Sequence, residues 1–239
     1  MNSWFQFKQF IIHQEKTAMK VCTDACLFGA WVAKKLEQKE IYAERILDIG
    51  CGTGLLSLIL AQKSLAPIDA VEIDENAYKQ ALGNFNLTPW NNRINTHNSS
   101  ILNFSSEEKF DLIVCNPPFY EDQLKSIDSK RNEAMHATKL SFVQLSTALK
   151  NHLGDEGIAA ILLPASSVGN FEKSLPENCL YIFEKMHVAH SPLHPNFRSM
   201  LLISKAKKEV EQNYIAIKNA DHNYSTEFKQ LLKEYYLNF

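Results

Sequence analysis

A run of apolar residues near the middle of the chain ends in a turn that carries three groups able to hold a flat ligand. Residues 112–115 are apolar and partly β-branched, which predicts a strand buried on both faces. Pro117 and Pro118 cannot continue that strand, so the chain turns at its carboxyl end, where open α/β sheets bind ligands. There Asn116 offers an amide, Pro117 a free carbonyl and Phe119 a ring. These groups suit a planar base that bears an exocyclic amine.

The same turn indicates a way to activate such an amine. The amino group of adenine is a poor nucleophile because its lone pair is delocalised into the ring. The side-chain oxygen of Asn116 and the backbone oxygen of Pro117 are candidate acceptors for its protons, and such acceptors stabilise developing charge. Phe119 is expected to stack on the base. The alternative is a plain proline turn with Phe119 in the core, and the position of the turn after a buried strand argues against it.

A second candidate site precedes it in the chain. Asp48 lies near the end of the predicted strand 46–49 and is followed by Gly50, Gly52 and Gly54 at alternate positions. Such glycines let the backbone turn tightly and approach a ligand, and the next helix offers free amides. Glu72 ends the following strand, where a carboxylate accepts hydrogen bonds from a ribose. The sequence therefore predicts a nucleoside cofactor at this turn.

The glycine spacing distinguishes between cofactors. Dinucleotide sites use G-x-G-x-x-G and hold a pyrophosphate, whereas the spacing here is G-x-G-x-G with Asp48 two residues before the first glycine. A carboxylate beside a phosphate is repulsive, but beside a sulfonium or an amino group it is attractive. The pattern favours S-adenosylmethionine over NAD. A glycine turn without a ligand is the alternative, and Glu72 and the flanking elements argue against it.

Alternating strand and helix patterns are expected to position both turns. The predicted strands of this part span 46–49, 68–73, 93–97, 110–115 and 157–163. The predicted helices span about 54–63 and 138–152, and a further helix follows the second strand and ends at about residue 86. Repeated strand–helix units predict a parallel sheet covered by helices on both faces. Further strands are predicted over 180–188, 198–204 and 214–217, with a final helix over 227–237.

The amino-terminal segment is expected to form a hairpin and a helix. Residues 5–12 predict a first strand and residues 16–21 its partner. Thr23 is expected to cap the helix behind it. We expect a single domain over 1–239, composed of this segment (1–40), a catalytic core (41–205) and a carboxyl-terminal appendage (206–239).

Composition places the chain among ordinary globular proteins. The chain has 239 residues, a net charge of −2, 45% hydrophobic and 22% charged residues. No stretch resembles a membrane span or a signal peptide. The five cysteines have no zinc spacing and are expected to be reduced thiols. We expect a cytoplasmic protein without a metal; three nearby histidines (187, 190 and 194) lack acidic or thiol neighbours.

Residues 48–54 together with residues 116–119 resemble the class I S-adenosylmethionine-dependent methyltransferases of the amino-methylating branch. The resemblance spans about residues 20–205. The segment 20–25 and the phenylalanine at 119 narrow it to the bacterial tRNA methyltransferases that act on N6 of the adenosine 3′ to the anticodon of valine tRNA. It implies a Rossmann-like, seven-stranded, mostly parallel sheet with an antiparallel last strand.

The resemblance also implies roles for individual residues. The residues implied to surround the methionine part of the cofactor are Asp48, Gly50, Gly52 and Gly54. Glu72 would bind the ribose, and Thr23 and Asp24 would lie near the cofactor. The residues that match the catalytic motif of the family are Asn116, Pro117 and Phe119. Related enzymes often carry an acidic residue that reads the cofactor adenine, and Ser100 stands at that position here.

The expected substrate is tRNA, with no obligate protein partner. Lys130, Arg131 and Arg198 are candidate RNA contacts, although the surrounding loop charges cancel and a solvated loop explains them equally. A protein glutamine or a DNA adenine are alternative methyl acceptors for this motif. A glutamine enzyme is expected to have a longer amino-terminal domain than the residues before the strand 46–49, and a DNA enzyme to have a target-recognition domain, so we expect neither acceptor here. A non-catalytic RNA-binding protein is the third alternative, and the intact residues 116–119 argue against it.

Overall fold

The computed structural model of the protein describes residues 2–17, 19–117 and 140–239. Its strands are β1 (Trp4–Gln6), β2 (Ile11–His13), β3 (Ile46–Ile49), β4 (Ile68–Glu72), β5 (Ile94–Asn98), β6 (Phe110–Cys115), β7 (Leu153–Pro164), β8 (Tyr181–Ala189), β9 (Asn196–Ser204) and β10 (Glu211–Ala216). Its helices are α1 (Thr23–Glu37), α2 (Leu55–Ala61), α3 (Glu75–Asn86), α4 (Phe142–His152), α5 (Val168–Ser174) and α6 (Thr226–Leu232). None of the helices in these ranges has the length and apolar character of a membrane span.

Eight strands form the central sheet, in the order β10-β8-β9-β7-β6-β3-β4-β5. Strands β3 to β7 pair in parallel with one another, whereas β9 runs antiparallel to both β7 and β8. The predicted α/β fold and the antiparallel strand are thereby confirmed. The sheet has one strand more than expected, because β10 pairs in parallel with β8 at its edge.

The core lies on both faces of the sheet, which explains the continuous apolar runs in the sequence. In β6, Leu112 and Val114 join one buried cluster, while Ile113 and Cys115 join the cluster on the opposite face. A strand covered on both sides needs apolar side chains at every position rather than at alternate ones. Helices α1 and α2 cover the first face and α4 and α5 the second.

The amino-terminal hairpin differs from the prediction. Trp4–Gln6 pairs antiparallel with Ile11–His13, so the segment 5–12 that was expected to be one strand contains parts of two strands and the turn between them. The turn closes with the Phe7 N–H donating to the Phe10 carbonyl at 2.8 Å. Residues 16–21 form no strand in the described part of the segment, and α1 begins after Cys22 rather than after a capping Thr23.

One buried amide ties this hairpin to the sheet. The side chain of Asn84 in α3 accepts from the His13 N–H at 2.9 Å and donates to the His13 carbonyl at 2.9 Å and the Thr53 carbonyl at 2.8 Å. The side chain is fully buried. An unpaired amide at this depth would be costly, so these bonds fix the hairpin, α3 and the glycine turn relative to one another.

Gly54 has a packing role at the start of α2. Its φ of 82° lies in the left-handed region. A Cβ built on Gly54 would lie 2.3 Å from the ring of Phe85 in α3. Because only glycine satisfies both requirements, this residue sets the close approach of α2 and α3.

The last helix is shorter than predicted. Helix α6 ends at Leu232, and Tyr235 and Tyr236 follow it in a turn whose N–H groups donate to the Leu232 carbonyl. Phe228, Leu232 and Tyr235 are buried in the same cluster as α1. The Tyr235 carbonyl accepts from the Lys8 N–H at 2.8 Å, so the two chain ends lie side by side.

Substitution of Gly54 by alanine is expected to lower the free energy of unfolding by about 2–5 kcal/mol, through left-handed strain and overpacking against Phe85. The matched control is Gly83→Ala in α3, where a Cβ meets nothing within 4 Å. That change should leave stability equal or raise it by about 1 kcal/mol. Urea denaturation measures both variants. Equal stability of the two would contradict the packing role.

Candidate active site

The glycine turn is held against the end of β4 by backbone hydrogen bonds. The N–H groups of Gly50 and Cys51 donate to the Val71 carbonyl at 2.8 and 3.1 Å. Gly50 and Gly52 have φ values of 70° and 56°, and a Cβ at either would meet no atom within 4 Å. The turn therefore needs glycine for its backbone conformation and leaves open space where side chains would stand.

The side chain of Glu72 holds the glycine turn in place through hydrogen bonds. One carboxylate oxygen accepts from the Gly52 N–H and the other from the Asp74 N–H, each at 2.9 Å. The side chain is buried, with 8% exposed. Each carboxylate oxygen can accept a second hydrogen bond, so this structural role leaves acceptor capacity for a ligand hydroxyl.

Asp48 is fully buried next to the glycine turn and forms hydrogen bonds with the helix that follows it. Its Oδ2 accepts from the Ser57 N–H at 3.1 Å and from the Ser57 hydroxyl at 2.7 Å, which anchors the first turn of α2. Within the described residues its Oδ1 has no hydrogen-bond partner. Burial raises the pKa of Asp48 to about 7, against the opposing effect of the Ser57 hydrogen bonds.

The site has two corners: the glycine turn after β3, and Asn116, which directly follows β6. Its Oδ1 is buried and has no hydrogen-bond partner among the described residues. An unsatisfied buried acceptor costs about 1–3 kcal/mol, which strongly favours a donor at this position. Strands β3 and β6 are adjacent and parallel, with Ile49 opposite Cys115. The glycine turn and the Asn116 corner therefore follow neighbouring strand ends.

Both corners open into one cavity of about 480 Å³. The sequence-predicted residues among its lining are Gly50, Gly52, Glu72, Ser100, Asn116 and Pro117. Gly54, Asp48 and Thr23 are not in the lining, and the first two act through packing and hydrogen bonds behind it. Ser100 follows β5, and its hydroxyl accepts from the Leu102 N–H at 3.3 Å.

One part of the cavity wall comes from the amino-terminal segment and was not predicted from the sequence patterns. It includes Lys16, Lys20, Val21 and Cys22 from the amino-terminal segment. The Val21 N–H donates to the Gln14 side chain at 2.8 Å, and the Lys20 ammonium donates to the Thr17 carbonyl at 2.9 Å. Hydrogen bonds of this kind leave no periodic pattern in the sequence. Only the resemblance of residues 20–25 to the methyltransferase family indicated this region.

Three thiols, Cys22, Cys51 and Cys115, line the same cavity. Burial raises the pKa of Cys22 to about 12, with a further contribution from the Asp24 carboxylate. Burial also raises the pKa of Cys51 and Cys115 well above the ordinary value, reinforced by the charges of Asp48 and Glu72. All three therefore remain protonated near neutral pH and are poor nucleophiles.

The other predicted site residues have different placements. Phe119, Lys130 and Arg131 lie outside the described residues. Arg198 is the third residue of β9, which begins two residues earlier than predicted, and its Nε donates to the Asp24 carboxylate at 2.8 Å. Among the side chains that the structure describes, no three His, Cys, Asp or Glu residues are grouped to hold a metal ion.

The fold has relatives among solved structures. An S-adenosylmethionine-dependent methyltransferase from Clostridium acetobutylicum superposes with a TM-score of 0.53 and 17% identity, covering 77% of this chain and 92% of that one. The ribosomal protein L11 methylase of Lactobacillus delbrueckii gives a TM-score of 0.53 and 21% identity, covering 75% and 77%. These similarities show the methyltransferase fold.

Sequence comparison gives the family. A model of the methyltransferase small domain matches residues 29–140. The tRNA1(Val) (adenine(37)-N6)-methyltransferase of Cytophaga hutchinsonii is 40% identical, with 99% of both chains covered. The enzyme of the same name from Flavobacterium psychrophilum is 39% identical, covering 98% of this chain and 99% of its own. This chain belongs to the family of tRNA1(Val) (adenine(37)-N6)-methyltransferases.

Proposed function

We propose that this protein transfers a methyl group from S-adenosylmethionine to N6 of adenosine 37 in tRNA1(Val). The observation that carries the proposal is the shared cavity, which is lined by Gly50 and Gly52 at one corner and by Asn116 at the other. The names of the full-length relatives supply the identity of the RNA and of the base.

The residues present suit this cofactor. The two glycines leave open space above the turn, so a ligand can lie against the backbone. Glu72 has acceptor capacity for the ribose hydroxyls, and Ser100 offers a hydroxyl beside the cavity. Asp48 supplies a carboxyl group behind the turn, where a cation on the ligand would be favoured. When bound, S-adenosylmethionine supplies an electrophilic methyl group.

Asn116 is the residue proposed to activate the acceptor. Its buried Oδ1 is without a partner in the described structure, so an amine N–H can donate to it with a net gain. The Pro117 carbonyl is the proposed second acceptor. Two such acceptors withdraw the N6 lone pair from the ring and stabilise the positive charge that develops on nitrogen. A strong general base is not needed, since the proton can leave after transfer.

The walls of the cavity limit competing reactions. Thiols at Cys22, Cys51 and Cys115 are the strongest potential nucleophiles around it. Because burial raises the pKa of each, they stay as neutral thiols and do not compete with the amine.

The remaining contacts of the substrate are proposals for residues near this edge. Phe119 would stack on the target base, and Lys130, Arg131 and Arg198 would contact the RNA backbone. A target in an anticodon loop is unpaired, so moving it into the cavity costs little. We also propose that residues 1–239 act as one domain and that the protein works in the cytoplasm, where its tRNA substrate is found.

Tritiated-methyl transfer to unmodified tRNA1(Val), followed by nucleoside analysis, is expected to yield N6-methyladenosine at position 37. In Asn116→Ala, kcat should fall by about 10²–10³, the effect of losing one acceptor aimed at developing charge. The affinity for S-adenosylmethionine, measured by calorimetry, should stay near that of the wild type.

Asn86→Ala is the matched control, because Asn86 is exposed on α3 and should transfer methyl groups at the wild-type rate. Methylation of a different atom or position would refute the proposed substrate. A nearly unchanged kcat in Asn116→Ala would refute the mechanism.

Asp48 is expected to make cofactor affinity depend on pH. Burial raises its pKa to about 7, so near neutrality it is partly protonated. A cation bound at the turn favours the ionised form and lowers the pKa in the complex. The affinity should therefore rise as pH increases towards 7 and level off above it, by about tenfold for each unit that the pKa falls on binding.

Isothermal titration of S-adenosylmethionine between pH 5.5 and 8 measures this effect. Asp48→Asn keeps an oxygen for Ser57 but cannot ionise, so its affinity should vary less across the range. An identical pH dependence in the two proteins would show that Asp48 does not respond to the cofactor charge.

A further inference from the structure

The loop between β8 and β9 (residues 190–195) lies at the same edge of the sheet as the cavity. Strand β8 runs parallel to β7, because both are antiparallel to β9. The carboxyl end of β8 therefore points in the same direction as the ends of β3 and β6. The histidines of this loop have no role in the proposed methyl transfer.

The first residue of the loop, His190, stacks on Phe197, the second residue of β9. The rings of His190 and Phe197 are parallel within 8°, with centroids 3.9 Å apart. His190 is exposed to solvent, whereas Phe197 is half-buried. His194 approaches His190 edge-on at 6.3 Å. The result is a flat aromatic pair whose outer member is in contact with solvent.

Hydrogen bonds hold His190 and the loop that follows it in place. The His190 carbonyl accepts from the Lys218 N–H at 3.0 Å. Within the loop, the His194 N–H donates to the Ser191 carbonyl at 3.0 Å, and the His194 ring bonds the Ser191 hydroxyl at 2.7 Å. Because Ser191 is buried, the loop is ordered before any ligand arrives, which reduces the entropic cost of binding.

A positive charge accompanies the rings. The guanidinium of Arg198 lies 5.4 Å from the centroid of the Phe197 ring, and it is paired with Asp24 near the cavity wall. Arg198 stands opposite Pro164 at the end of β7, and β7 is the neighbour of β6. The pair is thus two to three strand spacings from the strand that carries Asn116, about 10–15 Å.

We propose that the His190–Phe197 pair binds an unpaired nucleobase next to the target adenosine. This rests on the proposed function, since a base in the cavity brings its neighbours in the loop over this edge. An exposed ring backed by a second ring offers a face for stacking, which every base can use. Arg198 is already paired with Asp24, so stacking rather than charge is the main contribution of this pair to binding.

The same features disfavour a protein partner. A docking surface for a protein usually has a buried apolar centre with a polar rim. Here the exposed groups are two imidazole rings, Pro192, Pro195 and one isolated leucine, Leu193, and no buried apolar centre accompanies them in the loop. Exposed planar rings are the feature by which proteins bind single-stranded RNA.

Fluorescence anisotropy with a labelled anticodon stem–loop of tRNA1(Val) tests the proposal independently of catalysis. His190→Ala and Phe197→Ala are expected to weaken binding about 5- to 150-fold, the usual effect of losing one stacked base. His190→Phe keeps a stacking ring and should bind like the wild type. S-adenosylmethionine affinity, measured by calorimetry, should not change in any variant.

Tyr214→Ala is the matched control. Tyr214 also stacks on a histidine, His187, at 4.9 Å, but it lies on β10, four strand spacings from β6. Its removal should leave RNA affinity unaltered. An RNA with abasic sites on both sides of the adenosine should bind more weakly to the wild type, and His190→Ala should add no further loss.

Several outcomes would overturn the inference. These are wild-type RNA affinity in His190→Ala, failure of His190→Phe to restore binding, or a further loss in His190→Ala with the abasic RNA. Methylation by the wild type is measured alongside. If the wild type methylates adenosine 37 while His190→Ala binds normally, the stacking site is wrong and the proposed function stands. Without any methylation by the wild type, the proposed function itself fails.

Discussion

Hydrogen bonds from the glycine turn to the end of β4 determine the shape of the site. Gly50 and Cys51 donate to the Val71 carbonyl, and Gly52 donates to the Glu72 carboxylate. These bonds require left-handed backbone at the glycines, which other residues rarely adopt. They turn the chain sharply after β3 and leave open space above it. The cofactor site depends on this backbone arrangement more than on any side chain in contact with the ligand.

Much of this could be predicted from the sequence, because the information is local. Strands buried on both faces produce continuous apolar runs, so β3, β4 and β6 were predicted within one residue of their bounds. The turns after them carry glycine and proline, whose backbone preferences are strong. Since the ends of parallel strands meet at one edge, the meeting of Gly50 and Gly52 with Asn116 followed from the alternation of strands and helices.

Other features depend on contacts between distant parts of the chain. The hairpin was misassigned because a tight turn at Phe7 to Phe10 has no glycine or asparagine to mark it. The packing of Gly54 against Phe85, thirty-one residues later, is a further contact that the glycine spacing does not predict. The role of Asn84 depends on tertiary hydrogen bonds, and the amino-terminal part of the cavity wall includes Lys16, whose N–H donates to the side chain of Gln80 in α3. No periodicity in the sequence reports such bonds.

The central claim is that one cavity brings the cofactor and the substrate amine together. A crystal structure with S-adenosylhomocysteine and the anticodon stem–loop tests it most directly. The account predicts the cofactor against the Gly50–Gly52 turn and the exocyclic nitrogen of adenine about 3 Å from the Asn116 Oδ1. A cofactor bound elsewhere, or an adenine whose N6 points away from Asn116, would contradict it.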